Sequence, residues 1–380
     1  MFRCRIDKVR SHLKKQNLDA VLISAVSNIC YLTGYANFSQ NEREAYLIIT
    51  KNEQFIITDG RYSGVIKRQV PYFKLLELTG ENSLKNIFAK FARLKVLGIE
   101  EDEITVSEHK MLKKHFKKMK HLDIKSHRSV KTDDEIRKIE EAAKLGDKAF
   151  KYILGKIKEG ISEKELAYEL ELFIKKNGGE LSFPPIIAFG RNSAIPHHQT
   201  GETKLDKKEG QFILLDFGVK LENYCSDMTR TIIFGKPTNK QKRIYETVLK
   251  AQQKAIDFIN SKIKSGKKVK ASDADKTARD FIISQKYPNI PHSLGHGIGL
   301  QVHEHPSLSS KSRDILKTGM VFSIEPGIYL PDFGGVRTED LFCISKIVPS
   351  ETKGLFVLGK NDLKQLTNSP KSIISIQALS

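Results

Sequence analysis

The chain has 380 residues and a mass of 43.1 kDa, enough for two domains at roughly 150 residues each. With 39% hydrophobic and 29% charged residues, and no apolar run near the ~18 residues of a membrane span, neither wholesale disorder nor a spanning helix is expected. The formal net charge of +19 raises nucleic acid as a partner, but 49 of the 64 basic residues are Lys, 15 are Arg and Trp is absent; base readout and stacking favour Arg and aromatic side chains, so a lysine-rich solvated surface is expected instead.

The opening Met1-Phe2-Arg3-Cys4-Arg5 carries charge where a signal peptide needs apolar residues. Cys4, Cys30, Cys225 and Cys343 form no C-x-x-C pair, which suits free thiols in a reducing compartment and points to the cytoplasm. Along the chain, Ile6 to Gln16 has helical spacing, and Ala20–Ile23, Ala45–Ile49 and Gln54–Thr58 read as strands, giving a small α/β domain. Seven lysines between 108 and 125, interleaved with Met111, Leu112, Phe116 and Met119, predict an amphipathic helix with a basic face. Thr132-Asp133-Asp134-Glu135 reads as a capped helix start, with the domain boundary just before it. That helix is expected to run to about Lys158, and Ser162-Glu163-Lys164-Glu165 to restart one that ends at Gly178-Gly179.

The chemically suggestive residues follow. Asp216 and Asp227 lie in two strand patterns around the polar break Glu222-Asn223, a β-hairpin. An even-numbered loop puts residues 11 apart on one face. Two acids buried side by side repel unless a cation neutralises them. His292, His296 and His303 surround a glycine-rich turn, and glycines on both sides of His296 permit close backbone approach. Glu325 is held extended by Pro326. Glu339, 14 residues on, needs an odd-length loop or a bulge near Gly334-Gly335 to share its face. Four carboxylates and one imidazole suit Mn²⁺, Co²⁺ or Zn²⁺ better than a thiolate site would, and two divalent ions would balance the four charges.

With this ordered Asp, Asp, His, Glu, Glu set, the chain resembles the pita-bread-fold metallopeptidases, in the branch of Xaa-Pro aminopeptidases and Xaa-Pro dipeptidases (prolidases). The similarity extends from Thr58-Asp59-Gly60-Arg61-Tyr62 in the first part to Pro370-Lys371-Ser372-Ile373-Ile374 at the end. It implies an α/β (α+β) architecture, with a creatinase-like N-terminal domain over 1–127 and a pita-bread catalytic domain over 128–380. It also implies a site of two divalent metal ions, with Mn²⁺ expected and Co²⁺ or Zn²⁺ as alternatives, held by Asp216, Asp227, His296, Glu325 and Glu339. Asp227 and Glu339 would chelate both ions. Glu325 would also shuttle the proton of the attacking water, His197 would contact substrate, His303 would contact it near the scissile carbonyl, and His292 and Arg337 would lie around the proline pocket. His198, next to His197, could instead be the contact.

The resemblance implies a cytoplasmic homodimer acting on peptides with proline at the second position. The first expectation is an Xaa-Pro aminopeptidase working by metal-hydroxide attack, and the alternatives are an Xaa-Pro dipeptidase and a non-catalytic binding protein of the same fold. Methionine aminopeptidase shares the five ligands but usually lacks such an N-terminal domain, and creatinase lacks the ligands.

Overall fold

The structure, a computed structural model, describes residues 2–206, 210–346 and 361–376. Two compact units divide it, Met1–Arg128 and Ser129–Ser380. The first is built on a six-stranded mixed sheet in the order Lys74–Leu78, Gln54–Asp59, Ala45–Thr50, Ala20–Ile23, Val96–Ile99, Lys118–His121. Helix Phe2–Gln16 buries Ile6, Val9 and Leu13 along one stripe, the three-to-four-residue spacing of an amphipathic helix.

The lysine-rich stretch departs from its expected form. The helix there is short, Val106–Leu112, opened by a capping box of Thr105 and Glu108. The chain then turns and enters the strand Lys118–His121, parallel to Val96–Ile99. The helical spacing is broken because Leu112 and Phe116 both go into the core from either side of that turn. Lysines at 118 and 120 then occupy an outermost strand, where charge discourages pairing with another chain.

In the second unit, capping boxes at Thr132 and Ser162 open the helices Asp133–Leu154 and Glu163–Lys176. The first stops at Gly155, short of the expected Lys158. Both bury Leu145, Phe150, Leu166 and Leu170 with Ile187, Ile213, Leu215 and Ile232 of a sheet ordered Ser375–Ile376, Met228–Phe234, Gln211–Phe217, Ile186–Phe189. Helices Asn239–Lys264 and Ala271–Ser284 do the same for a five-stranded sheet, burying Ile244, Val248, Ala274 and Ala278 with Phe322, Ile324, Phe342 and Ile344. That sheet runs Glu304–Leu308, Gly295–Gly297, Val321–Ile324, Asp340–Lys346, Asn361–Gln365. Each such apolar side chain contributes roughly 1.5–3 kcal/mol, so the helix pairs fix the two sheets that carry the polar residues.

Register delivers the acids. Asp216 lies opposite Thr229, and the inner pairs Lys220–Cys225 and Leu221–Tyr224 continue the same ladder. It closes on a two-residue turn, Glu222-Asn223, with both residues at positive φ, as a hairpin of this length favours. The glutamates follow the odd-loop rule. Ile324 pairs with Asp340 and Gly327 with Arg337, so both registers set Glu325 opposite Glu339. The three-residue loop between Leu330 and Gly334 supplies the odd count, with Asp332 at φ 62. Around His296 the glycines are required by contact. A Cβ at position 295 would lie 2.0 Å from the Ser323 carbonyl oxygen, and one at 297 would lie 2.2 Å from that of His305. Gly295→Ala is therefore expected to destabilise the second unit by about 3 kcal/mol, the upper range for overpacking, read as a lowered denaturation midpoint. A loss under about 0.5 kcal/mol would contradict the close strand approach.

Candidate metal and peptidase site

Asp216, Asp227, His296, Glu325, Glu339, His197, His303, His292 and Arg337 all line one cavity of about 890 Å³. Phe183, Pro184, Pro185, Ile186 and Val302 form its apolar wall. One side-chain atom each of Asp227, His296 and Glu339 lies within 4.8 Å of the others. His296 Nε2 is 3.3 Å from Glu325 Oε1 and 3.6 Å from Asp227 Oδ2.

The imidazole is aimed by its other nitrogen. His296 Nδ1 lies 3.1 Å from the Gly297 carbonyl; a carbonyl can only accept, so the proton sits on Nδ1 and the Nε2 lone pair faces the carboxylates. The backbone N–H of His296 donates to Ser323 Oγ at 3.0 Å, and that hydroxyl donates to Glu325 Oε1 at 3.2 Å. Thr229 ties two more members together: its hydroxyl donates to Glu339 Oε2 at 2.7 Å and accepts from Arg337 Nε at 3.1 Å.

Three buried carboxylate oxygens, Asp216 Oδ1, Asp227 Oδ1 and Glu339 Oε1, have no hydrogen-bond partner. An unsatisfied buried acceptor costs about 1–3 kcal/mol, more for a charged group. Oriented oxygens without donors, beside an imidazole lone pair, fit a divalent cation. The same crowding shows in the protonation of the acids. Burial, then Arg337 in opposition and Asp227 and Asp216 in support, leaves Glu325 raised to about 8. Burial, followed by the neighbouring carboxylates, pushes Asp227 and Glu339 well above the ordinary carboxylate range. The histidines move the other way. Burial and then His303 bring His296 to about 4; burial and then Arg337 bring His292 to about 4; burial and then His197 lower His303. All three are neutral near pH 7, able to ligate or to donate one hydrogen bond without adding charge.

Arg337 is buried, and its hydrogen bonds go to protein groups: Asp216 Oδ2, Thr229, the Pro196 carbonyl at 3.3 Å, and the Tyr329 hydroxyl at 2.8 Å. Tyr329 donates in turn to His292 Nε2 at 2.8 Å, and His292 Nδ1 donates to the Ser293 carbonyl. Arg337 and His292 are thus joined through a phenol. His197 is exposed at the cavity, while His198 Nε2 sits 2.8 Å from Glu163 Oε2. Thr229, Tyr329 and Ser323 escaped the sequence reading. Each is an ordinary strand residue by composition, and the only available signal was its register beside an acid: Thr229 opposite Asp216, and Ser323 two residues before Glu325.

A cavity of buried acids and neutral histidines, carried on two helix-covered sheets, is the signature of a metallohydrolase. Residues 137–346 match the family model for metallopeptidase family M24, and residues 5–139 match that for the creatinase/prolidase N-terminal domain. An uncharacterised peptidase of Staphylococcus epidermidis is 39% identical over 344 residues, covering 88% of this chain and 95% of its own. The solved Xaa-Pro dipeptidase from Bacillus anthracis superposes with a TM-score of 0.85 at 33% identity, covering 99% of this chain and 100% of its own. The X-Pro aminopeptidase from Thermotoga maritima superposes with a TM-score of 0.80 at 30% identity, covering 95% and 98%. The chain belongs to metallopeptidase family M24, and its fold is the pita-bread fold preceded by a creatinase-like N-terminal domain. Among the described residues no helix is long and apolar enough to cross a membrane.

The electrostatics predict how the metal-free protein responds to pH. Glu325 has a folded value near 8 against an ordinary 4.5, so its contribution is fully present below 4.5 and lost as pH rises through 8. His292 and His296, lowered from 6.5 to about 4, contribute above 6.5 and lose that as pH falls through 4. Between pH 6.5 and 8 the carboxylates dominate, and the residual charging of the unfolded histidines offsets a fraction of their effect. Metal-free protein is expected to lose stability on the order of 1–2 kcal/mol across that window from Glu325. Glu325→Gln should reduce the loss and added Mn²⁺ should reverse it. Thermal melts at both ends of the window decide it; a metal-free stability that is flat or rising there contradicts the clustered acids.

Proposed function

We propose that this chain is a dinuclear-metal Xaa-Pro peptidase that cleaves the bond before proline. Asp216, Asp227, His296, Glu325 and Glu339 would hold two divalent ions, Mn²⁺ by expectation, with Co²⁺ or Zn²⁺ as substitutes. The observation that carries this reading is the convergence of those five side chains, three of them with unpartnered buried oxygens, at one apolar-walled cavity. Bound ions would supply Lewis acidity at the scissile carbonyl and lower the pKa of a water.

The remaining work falls to side chains. Glu325, at the cavity beside the other acids, accepts and returns a proton. His303, neutral at the cavity, donates to the oxygen that gains negative charge, and His197, which also lines the cavity, presents a second imidazole. The wall of Phe183, Pro184, Pro185, Ile186 and Val302 offers apolar area to a pyrrolidine ring and a small side chain. The Xaa-Pro bond has no N–H, so at that bond only the ring and the carbonyl are left to contact.

The dipeptidase is the first reading, supported by the similarity to the Bacillus anthracis Xaa-Pro dipeptidase over almost the entire chain. The aminopeptidase expected from sequence becomes the second, favoured by one observation. Among the described lining residues Arg337 is the only Lys or Arg, and its guanidinium is engaged with Asp216 and Tyr329. A free dipeptide carboxylate would therefore meet histidines rather than a fixed cation. The homodimer implied by resemblance and a reducing, cytoplasmic setting, in keeping with four free cysteines, belong to the same proposal.

Mn²⁺-loaded protein should hydrolyse an Xaa-Pro dipeptide, and Asp227→Ala should lower the rate by at least about 10³-fold, as expected for loss of a metal ligand. Cleavage confined to an Xaa-Pro-Xaa tripeptide would select the aminopeptidase. Hydrolysis of neither substrate by metal-loaded protein would refute the proline specificity.

A further inference from the structure

We propose that Glu163 is a positioning residue of this site, setting the strap of residues 190–201 that brings His197 to the cavity. Glu163 is fully buried, at the first position of helix Glu163–Lys176. Its carboxylate gathers both ends of the strap. Oε1 accepts from the Phe189 N–H at 2.8 Å and from Asn192 Nδ2 at 2.8 Å. Oε2 accepts from the Gly201 N–H at 3.0 Å and faces His198 Nε2 at 2.8 Å. A carboxylate flanked by N–H donors accepts here, so His198 holds its proton on Nε2. The helix end contributes as well: the Glu163 N–H donates to the Thr203 carbonyl and that of Lys164 to the Gly201 carbonyl.

Apolar packing cannot fix this strap. Within 190–201 only Ser193 is buried, and Ile195 is 52% exposed. Polar bonds hold it instead: at Glu163, at Arg337, which donates to the Pro196 carbonyl, at Ser193, whose hydroxyl accepts from the Gly335 N–H, and at Thr200, whose hydroxyl accepts from the Ile187 N–H. His197 follows that anchored carbonyl directly and precedes the His198 that Glu163 grips. Charge-assisted bonds to a buried carboxylate are about twice as strong as neutral ones, and small misplacements of a substrate contact are costly.

The inference rests on the peptidase reading. Glu163→Gln preserves shape but offers a donor where Gly201 and His198 need an acceptor. With Mn²⁺-loaded full-length protein and an Xaa-Pro dipeptide or tripeptide, KM is expected to rise about tenfold while kcat changes less than about threefold, and bound Mn²⁺ stays constant. His198→Ala should shift KM in the same direction, and His198→Gln, which replaces the Nε2 donor, should restore it. An unchanged KM in Glu163→Gln, even with a lowered melting temperature, overturns the proposal. If that variant does not fold, an unchanged KM in His198→Ala does so. Should the parent chain cleave no Xaa-Pro peptide, the peptidase reading fails separately. Hydrogen exchange then decides: faster exchange in Glu163→Gln confined to 189–201 supports the positioning role, and unchanged exchange there overturns it.

Discussion

The second unit is organised around one electrostatic demand: four largely buried carboxylates crowd together at one cavity. Two like charges a few ångströms apart, at an effective dielectric constant of ~20, repel by several kcal/mol, and desolvation adds to that. A chain keeps such a cluster only if protons or cations offset it. The raised Glu325, Asp227 and Glu339 show the proton solution; the partnerless oxygens of Asp216, Asp227 and Glu339 show groups pointed where a cation would sit. The helix pairs and the two sheets serve as the rigid frame that prevents the acids from moving apart to relieve their repulsion.

Strand register is how that frame is written into the chain. Side chains alternate across a strand, so one residue of slip would turn an acid away from the cavity. Two turns fix the count: the two-residue turn at Glu222-Asn223 for the aspartates and the three-residue loop after Leu330 for the glutamates. Pro326 interrupts the second ladder beside Glu325, and the same register resumes at Gly327. On its other side the glutamate stays bonded, its N–H donating to the Leu294 carbonyl at 2.8 Å.

Much of this could be read from the residues, because periodicity and turn chemistry are local. The even loop needed by Asp216 and Asp227 and the odd loop needed by Glu325 and Glu339 follow from counting, and the capping boxes at Thr132 and Ser162 from two side chains each. The lysine-rich stretch misled because helical spacing over 108–125 is compatible with a turn whose apolar residues enter one core; the partner strand Val96–Ile99 that captures Lys118–His121 is distant in sequence. Thr229, Tyr329 and Glu163 were invisible for a similar reason. Their roles arise from groups 110, 8 and 26–38 residues away, and nothing in their own neighbourhoods announces a partner. The first layer of the site was legible from residue type, whereas its supports required the fold.

Those supports also set the charge of the site. Arg337 is paired with Asp216, so four carboxylates and one guanidinium sum to −4 + 1 = −3. Under the proposed ligand set, two divalent ions bring the total to −3 + 4 = +1. With ions bound, a net positive site would suit a reaction in which negative charge develops on a carbonyl oxygen. Protonated histidines would spoil this by adding charge in the ground state. Burial keeps His292 and His296 neutral at pH 7, and Arg337 beside His292 strengthens the effect. The Arg337–Tyr329–His292 chain thus does two things at once: it holds the guanidinium against Asp216 and, together with burial, keeps the nearby imidazole neutral.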